Sequence, residues 1–455
     1  MASNAKQDMG TGSIKKLMVQ MAVPALVGQV VNLLYNVVDR IYIGHIPEIG
    51  GLALTGVGLF TPILMLITAF SMLAGAGGAP RAAIAMGQGN KEDAEKIVGN
   101  CFTVLMILAV ILTSVFYFTC PTLLRLFGAS DATLPYAVTY GRIYVLGSVF
   151  VLIVMGMNTF ITTQGFATIS MLTTVIGAVT NIVLDPILIF GLNLCVKGAA
   201  IATVCSQAVS AIWILRFLTG KKTILKLKPA NMKLIPGIIL PCLGLGVSTF
   251  VMLSTESILS ISFTSSLAKF GGDVAVGAMT VLTSINQLIT MPLSGVCQGG
   301  QPLISYNYGA KKIDRVKEAF FCQFGVCVAY TVVFWLLLMT MPNVFAGIFT
   351  SDTAIVDYTA WAIRVFLACG FSVGFQLSCQ QAFMALGQAK ISLVMALLRK
   401  VILLIPLIFI LPLFFENKAM AVFLAEPVSD ITAAAVTTIA FFTFFHKLMK
   451  EGKEQ

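Results

Sequence analysis

The 455-residue sequence contains two histidines, His45 and His446, which leaves no imidazole set for a metal centre or for acid–base catalysis. Charge is equally scarce: Asp, Glu, Lys and Arg make up 11% of the chain, against 58% hydrophobic residues. Soluble domains carry about 25% charged residues, so a water-soluble reading fails. The ten cysteines, Cys101, Cys205, Cys242 and Cys369 among them, are scattered through apolar runs without metal-type clustering, and read as small packing residues. The glycine-rich run Gly75-Ala76-Gly77-Gly78-Ala79 lacks the Lys-Ser/Thr ending of a phosphate-binding loop. It reads as a site of close helix approach or bending, and ATP is not expected to drive the protein. The first apolar segment is much longer than a signal-peptide core, and residues 1–16 lack the Arg-rich amphipathic pattern of a transit peptide, so no cleaved leader is expected.

What the sequence does have is length in its apolar runs. Roughly 20 apolar residues cross about 30 Å of hydrocarbon. Twelve segments qualify, at roughly 17–44, 52–78, 97–120, 135–160, 165–191, 196–218, 235–267, 274–303, 318–342, 355–380, 391–414 and 418–445. The excess of 29 Lys and Arg over 19 Asp and Glu sits between these runs and carries topology rather than a nucleic-acid site. Lys6, Lys15-Lys16, the run Lys221 to Lys233, the cluster Lys311 to Lys317, and Lys447, Lys450 and Lys453 all fall on one side. Arg40, Arg125, Lys197, Lys269 and Lys418 fall on the other, so the positive-inside rule places both termini in the cytoplasm.

The chain also repeats itself. Gly50-Gly51 with Gly56 recurs as Gly271-Gly272 with Gly277, a shift of 221. Tyr136, Arg142, Gly165 and Ile169-Ser170 recur as Tyr358, Arg364, Gly387 and Ile391-Ser392, a shift of 222, and Ser130-Asp131 recurs as Ser351-Asp352. Consistent spacing over a long stretch points to duplication of a six-span unit. The expected organisation is a six-helix bundle over 1–218, a basic cytoplasmic linker over 219–234, a second bundle over 235–445 and a cytoplasmic tail over 446–455. Two similar bundles in a bilayer can rock against each other, which is the architecture of a secondary transporter.

Carboxylates inside spans cost about 2.5–3.5 kcal/mol on insertion scales and are functional candidates by default. Asp39 lies late in the first span, Asp185 in the fifth, and Glu256 in the seventh. Asn181 and Asp185 stand four apart, so their oxygens share one helix face. Pro186 adds to this, because it offers no N–H to the carbonyl of Ile182 and leaves that oxygen free. Such an oxygen cluster suits Na⁺ or a carboxyl group that carries H⁺. For Asp39 alone, an interfacial charge beside Arg40 is the competing reading. For Asp185 it is a helix-end residue before a proline, and for Glu256 a structural ion pair. The 32 phenylalanines and 21 methionines read mainly as packing and lipid-facing residues.

Taken together, Pro24-Ala25-Leu26, Leu34-Tyr35-Asn36-Val37-Val38-Asp39, Gly87-Gln88-Gly89-Asn90-Lys91, the run Gln298 to Ala310 and the run Asn181 to Gly191 resemble the multidrug and toxic compound extrusion (MATE) family. The fifth span gives the resemblance a bacterial, MepA-like character. The resemblance implies an all-α integral membrane protein of twelve helices in two pseudo-symmetric six-helix bundles. It implies no enzyme activity, but an antiporter of the bacterial inner (plasma) membrane that exports small organic cations or amphipathic drugs against Na⁺ or H⁺, as a monomer with no other cofactor. By the family pattern, Asp39, Asn181, Asp185 and Thr203 form the cation-coupling site and Pro24 bends the first helix. Glu256 matches a second-half site of the NorM-like branch, whose tenth-helix acid is replaced here by Gln376, Gln380 and Gln381. The alternatives are a lipid-linked sugar flippase of the same superfamily, which would need a basic cavity, and a channel or receptor.

Overall fold

The computed structural model describes residues 9–349 and 353–451, and among these the chain is helical with no strand. Lys6, Lys453 and the repeat pair Ser351-Asp352 lie outside the described residues. In chain order the helices of the first half are α1 (Ile14–Gly44), α2 (Gly50–Gly87), α3 (Lys91–Leu126), α4 (Leu134–Leu146), α5 (Ser148–Thr163), α6 (Ala167–Pro186) and α7 (Cys195–Thr219). Then come α8 (Pro236–Gly272) and α9 (Val274–Gly309), α10 (Ile313–Thr340), α11 (Pro342–Phe349), α12 (Thr353–Phe366) and α13 (Val373–Ala385). The last two are α14 (Ala389–Leu413) and α15 (Lys418–Glu451).

Among the described residues ten helices are long and apolar enough to span a membrane, and two bent pairs raise the number to as many as twelve, in line with the sequence. The bent pairs are themselves a signature of the duplication. Helices α4 and α5 meet at 56°, and Val356–Phe366 meets Gly370–Ala385 at 53°, at positions 222 residues apart. In the first pair the bend falls at Gly147, where a Cβ would strike the Val204 side chain at 2.5 Å; glycine lets the bent span press against α7.

The helix ends repeat in the same way. Gly165 (φ 88°) and Gly387 (φ 73°) close their helices in the left-handed conformation, with Phe166 N donating to Ile161 O and Gln388 N to Phe383 O. Gly89 (φ 79°) and Lys311 (φ 56°) form another such pair, and here the second copy holds a non-glycine residue in the left-handed region. Asn90 then starts α3 by accepting from Asp93 N at 3.1 Å, with Glu92 and Asp93 favourably placed at the positive end of the helix.

The chain divides into two compact units, Val23–Leu253 and Met1–Ala22 with Ser254–Gln455. The halves read from the sequence count spans, whereas compactness divides the chain within α1 and within α8. Pro24 is the second residue after the first of these two points.

In the unit Val23–Leu253 the small-residue run of α2 makes close contacts, as the sequence suggests. A Cβ on Gly75 would lie 2.7 Å from Gly156 O, and one on Gly77 would collide with the Cys242 carbonyl of α8. The linker after α7 is also folded down onto this unit. Gln164 Oε1 accepts from Thr223 Oγ1, Ile224 N and Leu225 N at 2.7–2.8 Å, and Lys228 pairs with the buried Glu95 at 2.5 Å. In the other unit, Phe320, Phe383, Phe441 and Phe445 form an aromatic core, with Phe320 and Phe441 ring centroids 4.4 Å apart.

Candidate functional site

Three helices of the unit Val23–Leu253 bring the four first-half candidates into the interior. Asn181 and Asp185 on α6 are fully buried, Thr203 on α7 is 6% exposed and Asp39 on α1 is 8% exposed. Asn181 Nδ2 donates to Asp185 Oδ1 at 3.3 Å across one helical turn, the geometry their i, i+4 spacing prescribes. Asp39 and Asp185 lie within hydrogen-bonding reach of each other across α1 and α6. Arg40 is exposed while Asp39 is buried.

The local sequence explains how the carboxylates come to point inward. Pro186 ends the α-helical run of α6, and the chain continues as a π-helical stretch, Ile187–Gly191. Gly198 permits the start of α7 to pack against this stretch, since a Cβ there would lie 2.7 Å from Leu188 O. Thr203 Oγ1 donates to Ala199 O at 3.0 Å, which ties the hydroxyl hydrogen to its own helix and leaves the oxygen lone pairs facing outward from it.

Buried polar atoms are normally satisfied, yet Asp39 Oδ1, Asn181 Oδ1 and Asp185 Oδ2 have no hydrogen-bond partner. Gln207 Oε1, one turn beyond Thr203 on α7, is likewise buried and unpartnered. Three of these oxygens therefore belong to residues picked from the sequence. All are acceptors, which a hydrogen-bond donor or a cation would satisfy. Among the described residues no three His, Cys, Asp or Glu converge as a metal centre. Two carboxylates with an amide and a hydroxyl suit Na⁺ or H⁺ better than a transition metal.

Two tyrosines that the sequence reading did not assign complete the site. Tyr35, one turn before Asp39 on α1, lies close to both Asp39 and Asp185. Tyr140 on α4 reaches the Thr203 hydroxyl and lies near Asp39. The i, i+4 spacing of Tyr35 and Asp39 was the available signal. Tyr140 had none, because its partner Thr203 lies on α7, more than sixty residues away.

The second-half candidate is arranged differently. Glu256 is 52% exposed at its side chain, and its carboxylate meets the buried Lys400 ammonium. Gln376 and Gln380 on α13 are buried. Glu256 thus has a lysine as its direct partner, with the Glu426 carboxylate also close enough to act on it electrostatically. Arg399, Glu426 and Asp430 form ion pairs beside it that the sequence reading did not anticipate. An arginine in the eleventh span and two acids four apart in the twelfth were the overlooked signals.

The family model MatE matches residues 24–187 and again 248–410, once in each half of the internal repeat. The chain is 25% identical over 401 residues to the multidrug export protein MepA of Staphylococcus saprophyticus, covering 88% of this chain and 87% of the relative. It is 25% identical over 411 residues to MepA of Staphylococcus aureus strain N315, covering 88% of each. Among solved structures it resembles a MATE protein in the bent conformation, with a TM-score of 0.92 at 23% identity over 99% of this chain and 100% of that one. It also resembles an outward-facing multidrug resistance transporter of the MATE family, with a TM-score of 0.90 at 24% identity over 98% and 99% of the two chains.

Proposed function

The chain belongs to the MatE family, a family of multi-pass membrane transporters rather than enzymes, and from that premise we propose that it exports cationic or amphipathic organic compounds by antiport. The coupling ion, Na⁺ or H⁺, binds among Asp39, Asn181, Asp185 and Thr203. The observation that carries this reading is the approach of Asp39 to Asp185 with three acceptor oxygens left unpartnered around them.

The coupling follows from charge. Two bare carboxylates about 4 Å apart repel by about 4 kcal/mol at an effective dielectric constant of about 20. A cation between them reverses the sign of that interaction and draws α1 toward α6. An energy of this size exceeds the 1–3 kcal/mol that typically couples two binding events, so occupancy of the site biases the position of α1. Pro24 removes a backbone hydrogen bond within α1 and gives that helix a place to bend. Alternating access then exchanges ion for cargo on opposite sides of the bacterial plasma membrane, with both termini cytoplasmic and the chain acting as a monomer.

The test is efflux of a fluorescent organic cation from reconstituted liposomes under separately imposed Na⁺ and pH gradients. Efflux that follows one of the two gradients is expected. Transport indifferent to both would remove the antiport reading, and saturable, gradient-driven movement would set the protein apart from a channel.

A further inference from the structure

The unit that contains Ser254–Gln455 holds a second set of buried ionisable groups, unlike the first in containing its own cations. Arg399 and Lys400 stand side by side in a π-helical stretch of α14, Leu398–Leu404. Such stretches occur frequently at functional positions. Arg399 contacts Asp430 of α15 through Nε at 2.8 Å and through its terminal nitrogen at 2.7 Å, both on Oδ1. The same terminal nitrogen stands 3.5 Å from Glu426 Oε1. Lys400 is taken by Glu256 of α8. Ser429 Oγ donates to Arg399 O at 2.8 Å and fixes the π-helical backbone against α15.

The charges do not balance. Arg399 and Lys400 face three carboxylates, Glu256, Glu426 and Asp430, so one negative charge is left unmatched. Glu426 and Asp430 are 7% and 5% exposed, and an uncompensated carboxylate at that burial is costly. The shortfall falls on Glu426. Asp430 has the close contacts with the guanidinium, whereas Glu426 has the long one. Among the described residues the cations acting on Glu426 are Arg399 and Lys400, both already in contact with another carboxylate; Cys369 lies near Asp430, and Tyr358 of α12 meets Phe423, one turn before Glu426.

We propose that Glu426 is a second cation-exchange site, whose ligand is a single proton shared with the Arg399–Asp430 pair. Lys400 and Arg399 act as tethered counter-ions that hold the other two carboxylates ionised, so the network takes up one proton. The proton binds to the Glu426 carboxylate, which then donates a hydrogen bond toward Asp430 across one helical turn. Its loss restores three carboxylates to two cations and weakens the hold of α15 on α14. This site lies outside the Asp39–Asp185 cluster and does not depend on what that cluster binds.

Infrared pH titration of the purified full-length protein tests it, with Asp39→Asn/Asp185→Asn as the background so that the first cluster contributes no carboxyl signal. The carbonyl stretch of a protonated, buried carboxyl group is expected to appear in that background as pH falls, and to vanish in Glu426→Gln. Should Glu426→Gln fail to fold, Glu426→Asp is expected to shift the midpoint of the same band. A band unchanged by either variant, or no titrating band at all, overturns the proposal. So does loss of the band when Na⁺ or an organic cation such as tetraphenylphosphonium is added at constant pH, because the ligand would then be that cation.

Discussion

Asn181 and Asp185 are joined across one turn of α6 by a 3.3 Å hydrogen bond that engages Oδ1 of the aspartate and leaves Oδ2 buried without a partner. The bond orients one carboxylate oxygen and frees the other, which a cation site built from two helices requires. Removing either acid removes one wall of that site. Asp39→Asn and Asp185→Asn are each expected to reduce gradient-driven efflux to the level of protein-free liposomes while membrane insertion stays intact. Normal efflux by both variants, measured at equal protein density, would rule out the first-half site.

Asn181→Leu keeps the side-chain volume but removes the donor to Asp185. Hydrogen bonds to charged groups contribute about 1.5–3 kcal/mol, so the apparent affinity for the coupling ion is expected to fall by about 10- to 100-fold. The check is the ion concentration giving half-maximal efflux. An unchanged value would mean that the 3.3 Å contact does not orient the carboxylate.

Glu256→Gln is expected to weaken efflux less than Asp185→Asn. Glu256 is half exposed and meets Lys400, so its loss disturbs an ion pair that solvent or lipid headgroups partly screen. Side-by-side efflux rates decide the order, and complete loss with Glu256→Gln alone would reverse it.

Gly246 and Gly244 lie one turn or less apart on α8 and should respond oppositely to alanine. A Cβ on Gly246 would collide with the Leu73 carbonyl, whereas one on Gly244 meets nothing within 4 Å. Gly246→Ala is expected to cost about 1–3 kcal/mol by overpacking, and Gly244→Ala to be neutral or to gain about 0.5–1 kcal/mol from helix propensity. Thermal melts in detergent compare them, and equal shifts would contradict the close α2–α8 packing.

Gln164 holds the strap that follows α7 through three hydrogen bonds to a single oxygen. Gln164→Leu leaves two backbone N–H groups and a hydroxyl without that acceptor, at about 1–3 kcal/mol for each buried group. Faster proteolysis within residues 219–235 is the expected result. A cleavage rate equal to that of the parent protein would show that the strap is held by other contacts.

The spans and the duplication could be read from the sequence because they rest on apolar run length and a fixed shift; Asn181 and Asp185 share an i, i+4 spacing, whereas Thr203 was named only through the family pattern. Asp39 and Asp185 were identified one by one as expensive charges, and only the packing of α1 on α6 joins them. The role of Tyr140 was not legible, since its approach to Thr203 joins α4 to α7 and no local spacing connects the two residues. The linker misled in part: its lysines marked topology, but Glu95, Asn100 and Gln164, whose hydrogen bonds bind it to the first bundle, lie more than fifty residues away in sequence. The Arg399 network was overlooked because its partners come from α8 and α15, and no local pattern connects those helices to the π-helical stretch.

The most direct test of the Asp39–Asp185 pair as an exchangeable cation site is ion release on cargo binding. Tetraphenylphosphonium is added to purified protein, and displaced H⁺ or Na⁺ is followed with a pH indicator or a sodium electrode. The parent protein is expected to release the ion, and the Asp39→Asn/Asp185→Asn variant to release measurably less. Release from the double variant equal to that of the parent would contradict the site.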